Sequence, residues 1–288
     1  MHPHLFMSTV GTGLLLGFLL NQLAAQDLKV QKSDLTFLAT FDKGAEADFS
    51  MGEKSFYRAQ TVARKKLEMG KPVEGVIPYI NRGRFGSAID FTRKTEAVLC
   101  YRAAQNFPYS PQPFDATISF WMKCDRAKLP DGFIDPLQIT DKKWNDASIF
   151  VDFDNQRPAS FRMGVFSDLK FWNPDNRDFN KMKPEERPMI DAGRATFTKD
   201  KWTHVGLVFK GINSEAASSC QMYLDGKRVG ELKRKQKFSW NPEQAYIMLG
   251  IYFVGQLDDF AIFKTAMRKD QVQSIVNSGV SIGSLLNQ

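Results

Sequence analysis

WTHVGLVFKGINSEAASSCQMYLDGKRVG, residues 202–230, contains two strands and a hairpin turn, and its reading decides the fold. Thr203, Val205, Leu207 and Phe209 alternate with Trp202, His204, Gly206 and Val208. A period of two with both faces largely apolar is the pattern of a strand buried inside a sandwich. Residues 221–224 then run straight into Asp225-Gly226. Asp-Gly supplies the positive φ angles that a two-residue type I′ turn requires, so residues 227–232 are expected to return as the second arm of a hairpin.

The same alternation recurs on both sides of this stretch. Downstream, YIMLGIYF (246–253) is a continuous apolar strand, and QLDDFAIF (256–263) alternates Leu257, Asp259, Ala261 and Phe263, which sends Asp258 and Asp259 to opposite faces. Residues 267–278 carry Val272, Ile275 and Val276 at helical spacing, with Gly279 where a C-terminal cap belongs. Upstream, TISFWMKC (117–124) puts Ile118, Phe120 and Met122 on one face and Thr117, Ser119 and Trp121 on the other, the pattern of a half-buried strand. Residues 148–153 and 161–166 form a strand pair around a polar turn, and 173–188, rich in Asn, Asp, Lys and Pro, reads as an irregular surface loop. Residues 35–41 are the first strand. Loops around a short strand near Phe56 follow through residue 71, and 87–91 and 98–101 read as consecutive strands. No internal repeat or low-complexity tract is present.

Four separated motifs together resemble one family. The Trp202-x-His204 strand with its Tyr-Leu-Asp-Gly-Lys hairpin, GRFGSAIDF (83–91), ISFW (118–121) and the ending GQLDDFAIFKTAMRKDQVQSIVNSG (255–279) are similar to the LamG-like (concanavalin A-like lectin/glucanase) jelly roll. The resemblance covers about residues 35–280. It implies an all-β, two-sheet antiparallel jelly-roll sandwich with a short C-terminal helix, preceded by a leader at 26–34 and followed by a tail at 281–288.

Composition bounds the setting. Residues 1–25 hold no Lys, Arg, Asp or Glu and include the apolar run LLLGFLL at 14–20. That run is shorter than the roughly 20 residues a spanning helix needs, so it is expected to be a secretory signal, cleaved after Ala25, and the protein to be secreted, periplasmic or on the cell surface. An uncleaved anchor is the alternative. Cys100, Cys124 and Cys220 allow one internal disulfide at most, and three buried free thiols equally well. The formal charge of +7 is partly concentrated at Lys227, Arg228, Lys233, Arg234, Lys235 and Lys237. Such an edge either attracts a polyanion or uses Lys to block edge-to-edge strand pairing. No nucleic-acid motif accompanies it, and nucleic acid is not expected as a partner.

Catalytic and ligand chemistry have few places to sit. His204 is the one histidine beyond the signal, which excludes a multi-histidine metal centre, and its match to the family pattern marks it as structural. The G-x-S-x-G match at 279–283 lacks the strand before it and the helix after it that a nucleophile elbow requires. The two-glutamate glucanase pattern E-x-D-x-x-E has only Glu46-Ala47-Asp48 to offer, with Met51 at the second glutamate position. Two stretches do join an aromatic platform to polar groups, as pyranose binding requires: Trp144-Asn145-Asp146, and Trp172-Asn173 with Asp175. These six are the expected ligand-binding residues. The alternative for each Trp is a loop anchor. The resemblance further implies a structural calcium ion, for which Asp42 and Asp259 are the candidate ligands. The expectation is an exported, non-catalytic recognition module for a glycan or cell-surface polysaccharide. The alternatives are a structural or protein-interaction module of the cell surface and a divergent glycoside hydrolase or lyase.

Overall fold

The computed structural model describes residues 28–195 and 197–288, so the expected signal and the first leader residues lie outside the described part. In chain order the strands are β1 (Leu35–Ala39), β2 (Phe49–Ser50), β3 (Phe56–Ala59), β4 (Leu67–Met69), β5 (Val76–Ile80), β6 (Ala88–Phe91), β7 (Val98–Arg102), β8 (Phe114–Lys123), β9 (Ile134–Lys143), β10 (Asp146–Phe153), β11 (Phe161–Phe166), β12 (Met189–Asp191), β13 (Thr203–Ile212), β14 (Ser218–Leu224), β15 (Lys227–Arg234), β16 (Tyr246–Ile251) and β17 (Gly255–Phe263). The α-helices are α1 (Leu169–Trp172) and α2 (Lys269–Asn277). A nine-stranded sheet runs β15-β14-β13-β8-β17-β1-β2, with β6 also on β17 and β5 on β6. The second sheet has eight strands in the order β12-β11-β10-β9-β16-β7-β3-β4. All the pairings are antiparallel, which makes the two-sheet sandwich expected from the sequence.

The opening stretch folds as read. Asp225 (φ 47°) and Gly226 (φ 72°) supply the left-handed pair of the turn, and β14 and β15 pair through Leu224 and Lys227. Val205, Leu207 and Phe209 of β13 face the core between the sheets, in one cluster with Leu137, Ile139, Ile149 and Val151 of the other layer. Burial of such side chains at about 1.5–3 kcal/mol each is the main stabilisation of the sandwich.

Two expectations, on β8 and on the Asp258-Asp259 pair, need correction, and two further features add to the reading. β8 is buried on both faces, because Val272 and Ile275 of α2 and Ile282 and Leu285 of a 3-10 turn at Ile282–Asn287 cover the outer face of the nine-stranded sheet. Beside them, Arg84 stacks 4.7 Å over Trp121. β5 and β9 were not anticipated; each carries an internal proline, Pro78 and Pro136. The segments 88–91 and 98–102 are strands, but β6 lies in one sheet and β7 in the other. Asp258 and Asp259 do not diverge. A bulge between Asp258 and Ala261, with Asp259 at φ 52°, turns both carboxylates outward, Asp258 to the 83–87 loop and Asp259 to the C-terminal turn. No helix among the described residues is long and apolar enough to cross a membrane.

Candidate functional site

The two sheets differ in what covers their outer faces. The nine-stranded sheet is roofed by α2 and the Ile282–Asn287 turn, whereas the eight-stranded sheet leaves an open cleft of about 590 Å³ over β9, β10 and β11. Strand alternation builds its floor. Ile149, Val151 and Phe153 of β10 point into the core, so Phe150 and Asp152 point out, and Gln138 of β9 and Arg162 of β11 join them. Asp135 reaches the same floor where the β9–β10 register shifts, two residues of β9 lying opposite Asp152 alone. Pro136 sits at this irregularity, a position where a proline is tolerated inside a sheet.

The walls are aromatic. Trp144, in the β9–β10 turn, is 44% exposed and meets Phe179 edge-on at 5.4 Å and Phe166 at 5.5 Å. Phe133 and Tyr252 add to the aromatic lining, with the Tyr252 hydroxyl donating to Glu96 Oε2 at 3.0 Å, and Arg64, Lys142 and Lys143 also line the cleft. Below them Arg162 Nε donates to Asp152 Oδ1 at 3.0 Å, and its Nη2 donates to Oδ2. Asp152 and Arg162 are direct cross-strand partners, almost wholly buried. Burial, and then the charge of Asp152, raise the Asp135 pKa well above the usual carboxylate range, with the charge of Arg162 opposing them. Burial also raises Asp152, to about 6, with the Arg162 guanidinium opposing the rise, so within the pair the proton is held preferentially on Asp135 while Asp152 ionises first against the guanidinium. The floor thus offers a carboxylic acid donor, a fixed ion pair and the Gln138 amide beneath stacking surfaces.

Of the six expected ligand-binding residues, Trp144 lines this cleft, Asn145, Asp146, Trp172 and Asn173 hold the surrounding loops in shape, and Asp175 does neither. Trp172 donates from Nε1 to the Asn145 carbonyl at 2.9 Å and packs edge-on against Phe166 at 5.0 Å. Asp146 accepts from Leu169 N at 2.9 Å and so fixes the start of α1. Asn173 clamps its own loop, donating to the Arg177 carbonyl and accepting from Arg177 N, each at 2.9 Å. Asp175 is exposed and outside the cleft. Sequence reasoning missed Asp135, Gln138, Asp152 and Arg162. The signal for the last two was a charge inside each arm of an otherwise apolar strand pair, SIFVDF and FRMGVF.

The remaining candidates are engaged elsewhere. Asp42 Oδ1 accepts from Ser87 N at 2.7 Å, and Asp259 accepts from Ser281 Oγ at 2.6 Å and Ile282 N at 2.8 Å. Among the described residues no group of three or more His, Cys, Asp or Glu side chains could hold a metal ion. Both oxygens of Asp259 accept hydrogen bonds while only Oδ1 of Asp42 does, and these two side chains alone fall short of the six to eight oxygens of a calcium shell. His204 Nε2 and Ser119 Oγ are 2.9 Å apart, but both residues are fully buried, and burial lowers the imidazole pKa to about 4. Ser281, of the tail motif, is likewise spent on Asp259. All three cysteines are free and buried, and burial pushes each thiol up to about 12, which removes them from redox and nucleophilic chemistry at neutral pH. The basic hairpin is partly neutralised: Arg228 and Lys233 pair with Glu231, and Lys235 with Glu215.

The family model of the concanavalin A-like lectin/glucanases superfamily matches residues 103–273. Among solved structures, domain 4 of AbnA, a GH43 extracellular arabinanase from Geobacillus stearothermophilus solved in complex with arabinotriose, is similar with a TM-score of 0.52 at 12% identity; the match covers 84% of this chain and 98% of that one. The binding domain of botulinum neurotoxin DC in complex with SialylT gives a TM-score of 0.49 at 13% identity, covering 84% of this chain and 53% of that one, so the chain spans about half of the toxin domain. The serotype G binding domain gives 0.48 at 13% identity, covering 77% and 50%. At such identities the likeness is one of fold. No curated protein matches the sequence.

Proposed function

The chain belongs to the concanavalin A-like lectin/glucanase superfamily, and from that premise we propose that it is a non-catalytic module that binds a glycan in the cleft over β9, β10 and β11. The observation that carries the reading is the cleft itself: an exposed Trp144 braced by Phe179 stands over a hydrogen-bonding floor of Asp135, Gln138, Asp152 and Arg162. Sugar rings present an apolar face to an aromatic and hydroxyls to polar groups, which is the chemistry this arrangement offers. The arabinotriose-bound domain that shares the fold supports the ligand class. A glycosidase needs one free carboxylate beside one acid, and here the ionised partner, Asp152, is held at both oxygens by Arg162. Export by residues 1–25 is part of the reading and would bring the module to extracellular polysaccharides.

A glycan array with the purified protein beside Trp144→Ala tests it. Losing the ring should weaken binding about tenfold, the equivalent of about 1.4 kcal/mol. Full affinity in Trp144→Ala would refute the placement of the site, failure to bind any glycan would favour a protein partner, and steady release of reducing sugar would show an enzyme.

A further inference from the structure

The charges that line the cleft do not balance once their local partners are assigned. Arg162 is bonded to Asp152, and Lys142 pairs with Asp146 at 3.8 Å and Asp168 at 3.5 Å. Arg64 donates to carbonyl groups, Val62 O at 2.7 Å and Lys142 O at 3.1 Å; it is in no ion pair among the described residues, and the carboxylate whose charge acts on it, Asp141, lies outside the lining. Lys143, exposed beside Trp144, has no ion-pair partner among the described residues. The one lining carboxyl outside these pairs is Asp135. What remains without an ion-pair partner in the lining is positive charge on Lys143, the chain neighbour of Trp144, and on Arg64.

We propose that the ligand of this cleft is an anionic carbohydrate whose carboxylate or sulfate lies against Lys143 and Arg64 while its ring stacks on Trp144. The inference rests on the glycan-binding reading and names the class of glycan within it. A concave site focuses the field of its charges, so two unpaired cations there count for more than the same groups on an open surface. The hairpin of β14 and β15 is the competing basic surface: Arg228, Lys233 and Lys235 face Glu231 and Glu215, and the charges of Lys227, Arg234 and Lys237, in no ion pair among the described residues, lie outside the concave site that holds the stacking ring. The proton on Asp135 removes the one free negative charge that would repel an acidic sugar.

The test is titration calorimetry of the whole protein with three oligosaccharides of matched length, one neutral, one of uronic acids and one sulfated, in low and in physiological salt. Lys143→Gln and, as the hairpin control, Lys233→Gln are measured beside the wild type. The expected result is at least tenfold tighter binding of the uronate, the sulfated sugar or both than of the neutral one, with the preference shrinking as salt screens it. Lys143→Gln should lose about threefold in affinity for the anionic sugar and keep its affinity for the neutral one, with an unchanged melting temperature. Lys233→Gln should behave as wild type. Binding only the uronate, or only the sulfated sugar, supports the proposal and identifies the anion. Equal or tighter binding of the neutral sugar overturns the anionic preference and leaves the glycan reading standing. A loss in Lys233→Gln with none in Lys143→Gln overturns it by moving the anion to the hairpin. No binding to any of the three overturns the underlying glycan reading as well.

Discussion

Replacing Asp258 by Asn should make the protein more stable at alkaline pH and change the way its stability depends on pH. Asp258 is wholly buried under the 83–87 loop; Oδ2 accepts from Phe85 N at 2.9 Å and Oδ1 has no hydrogen-bond partner. Burial is the main cause that raises its pKa from 3.8 to about 8; the charge of Asp259 adds to this, and the N–H groups of Phe85, Arg84 and Asp259 oppose it. Between those two values the folded protein keeps a proton that the unfolded chain has released. Stability from this group is therefore fully present below about pH 4 and falls as pH rises, by about 1.4 kcal/mol per unit, until the folded form also ionises near pH 8.

From pH 6 to pH 8 that slope amounts to about 2–3 kcal/mol, or roughly 5–10 °C in Tm for a chain of this size. Asn keeps an oxygen for Phe85 N and cannot ionise. Urea unfolding of wild type and Asp258→Asn at half-unit steps from pH 5 to pH 9 measures the difference, and groups common to both proteins, His204 among them, cancel in the subtraction. The expected difference climbs steadily in favour of Asn and levels off near pH 8. A difference that does not vary with pH would refute the reasoning, because it would mean that Asp258 is already ionised in the fold, solvated or neutralised by something bound beside it.

The same comparison in millimolar calcium and in chelator bears on Asp42 and Asp259. Their oxygens already serve Ser87, Ser281 and Ile282, so Tm should be indifferent to both additions, and a calcium-dependent rise would restore the metal site. At the cleft floor, Arg162→Leu leaves the buried Asp152 without its counter-ion and should cost about 3–5 kcal/mol in urea unfolding, while Asp152→Leu with Arg162→Leu together should recover most of it. A double variant as unstable as the sum of the single ones would show that the pair is not the unit the geometry implies.

What could be read from the sequence divides along a physical line. The Asp225-Gly226 hairpin, the core face of β13 and α2 with Gly279 at φ 69° all follow from rules that act within a few residues, and each folds as read. The outer face of β8 does not. Thr117, Ser119 and Trp121 look like a solvent face because polarity reports what a strand presents and not what is folded over it, here a helix some 150 residues away in the chain. β9 was hidden by Pro136 and by the acidic residues Asp135 and Asp141, which break its alternation. The candidate site was the least legible part, since tryptophans beside Asn and Asp are a local pattern whereas the floor is assembled across strands. Yet part of it was within reach. Once 148–153 and 161–166 are taken as an antiparallel pair closed by a turn, Asp152 and Arg162 stand at mirrored positions next to its ends, and register forces them opposite one another. Two opposite charges at facing positions of apolar strands are costly unless they meet, so their presence marks the side that is not core. A charge inside an apolar strand was therefore a better guide to the floor of the cleft than a tryptophan in a loop, and Trp144 acquires its place only because that floor lies beneath it.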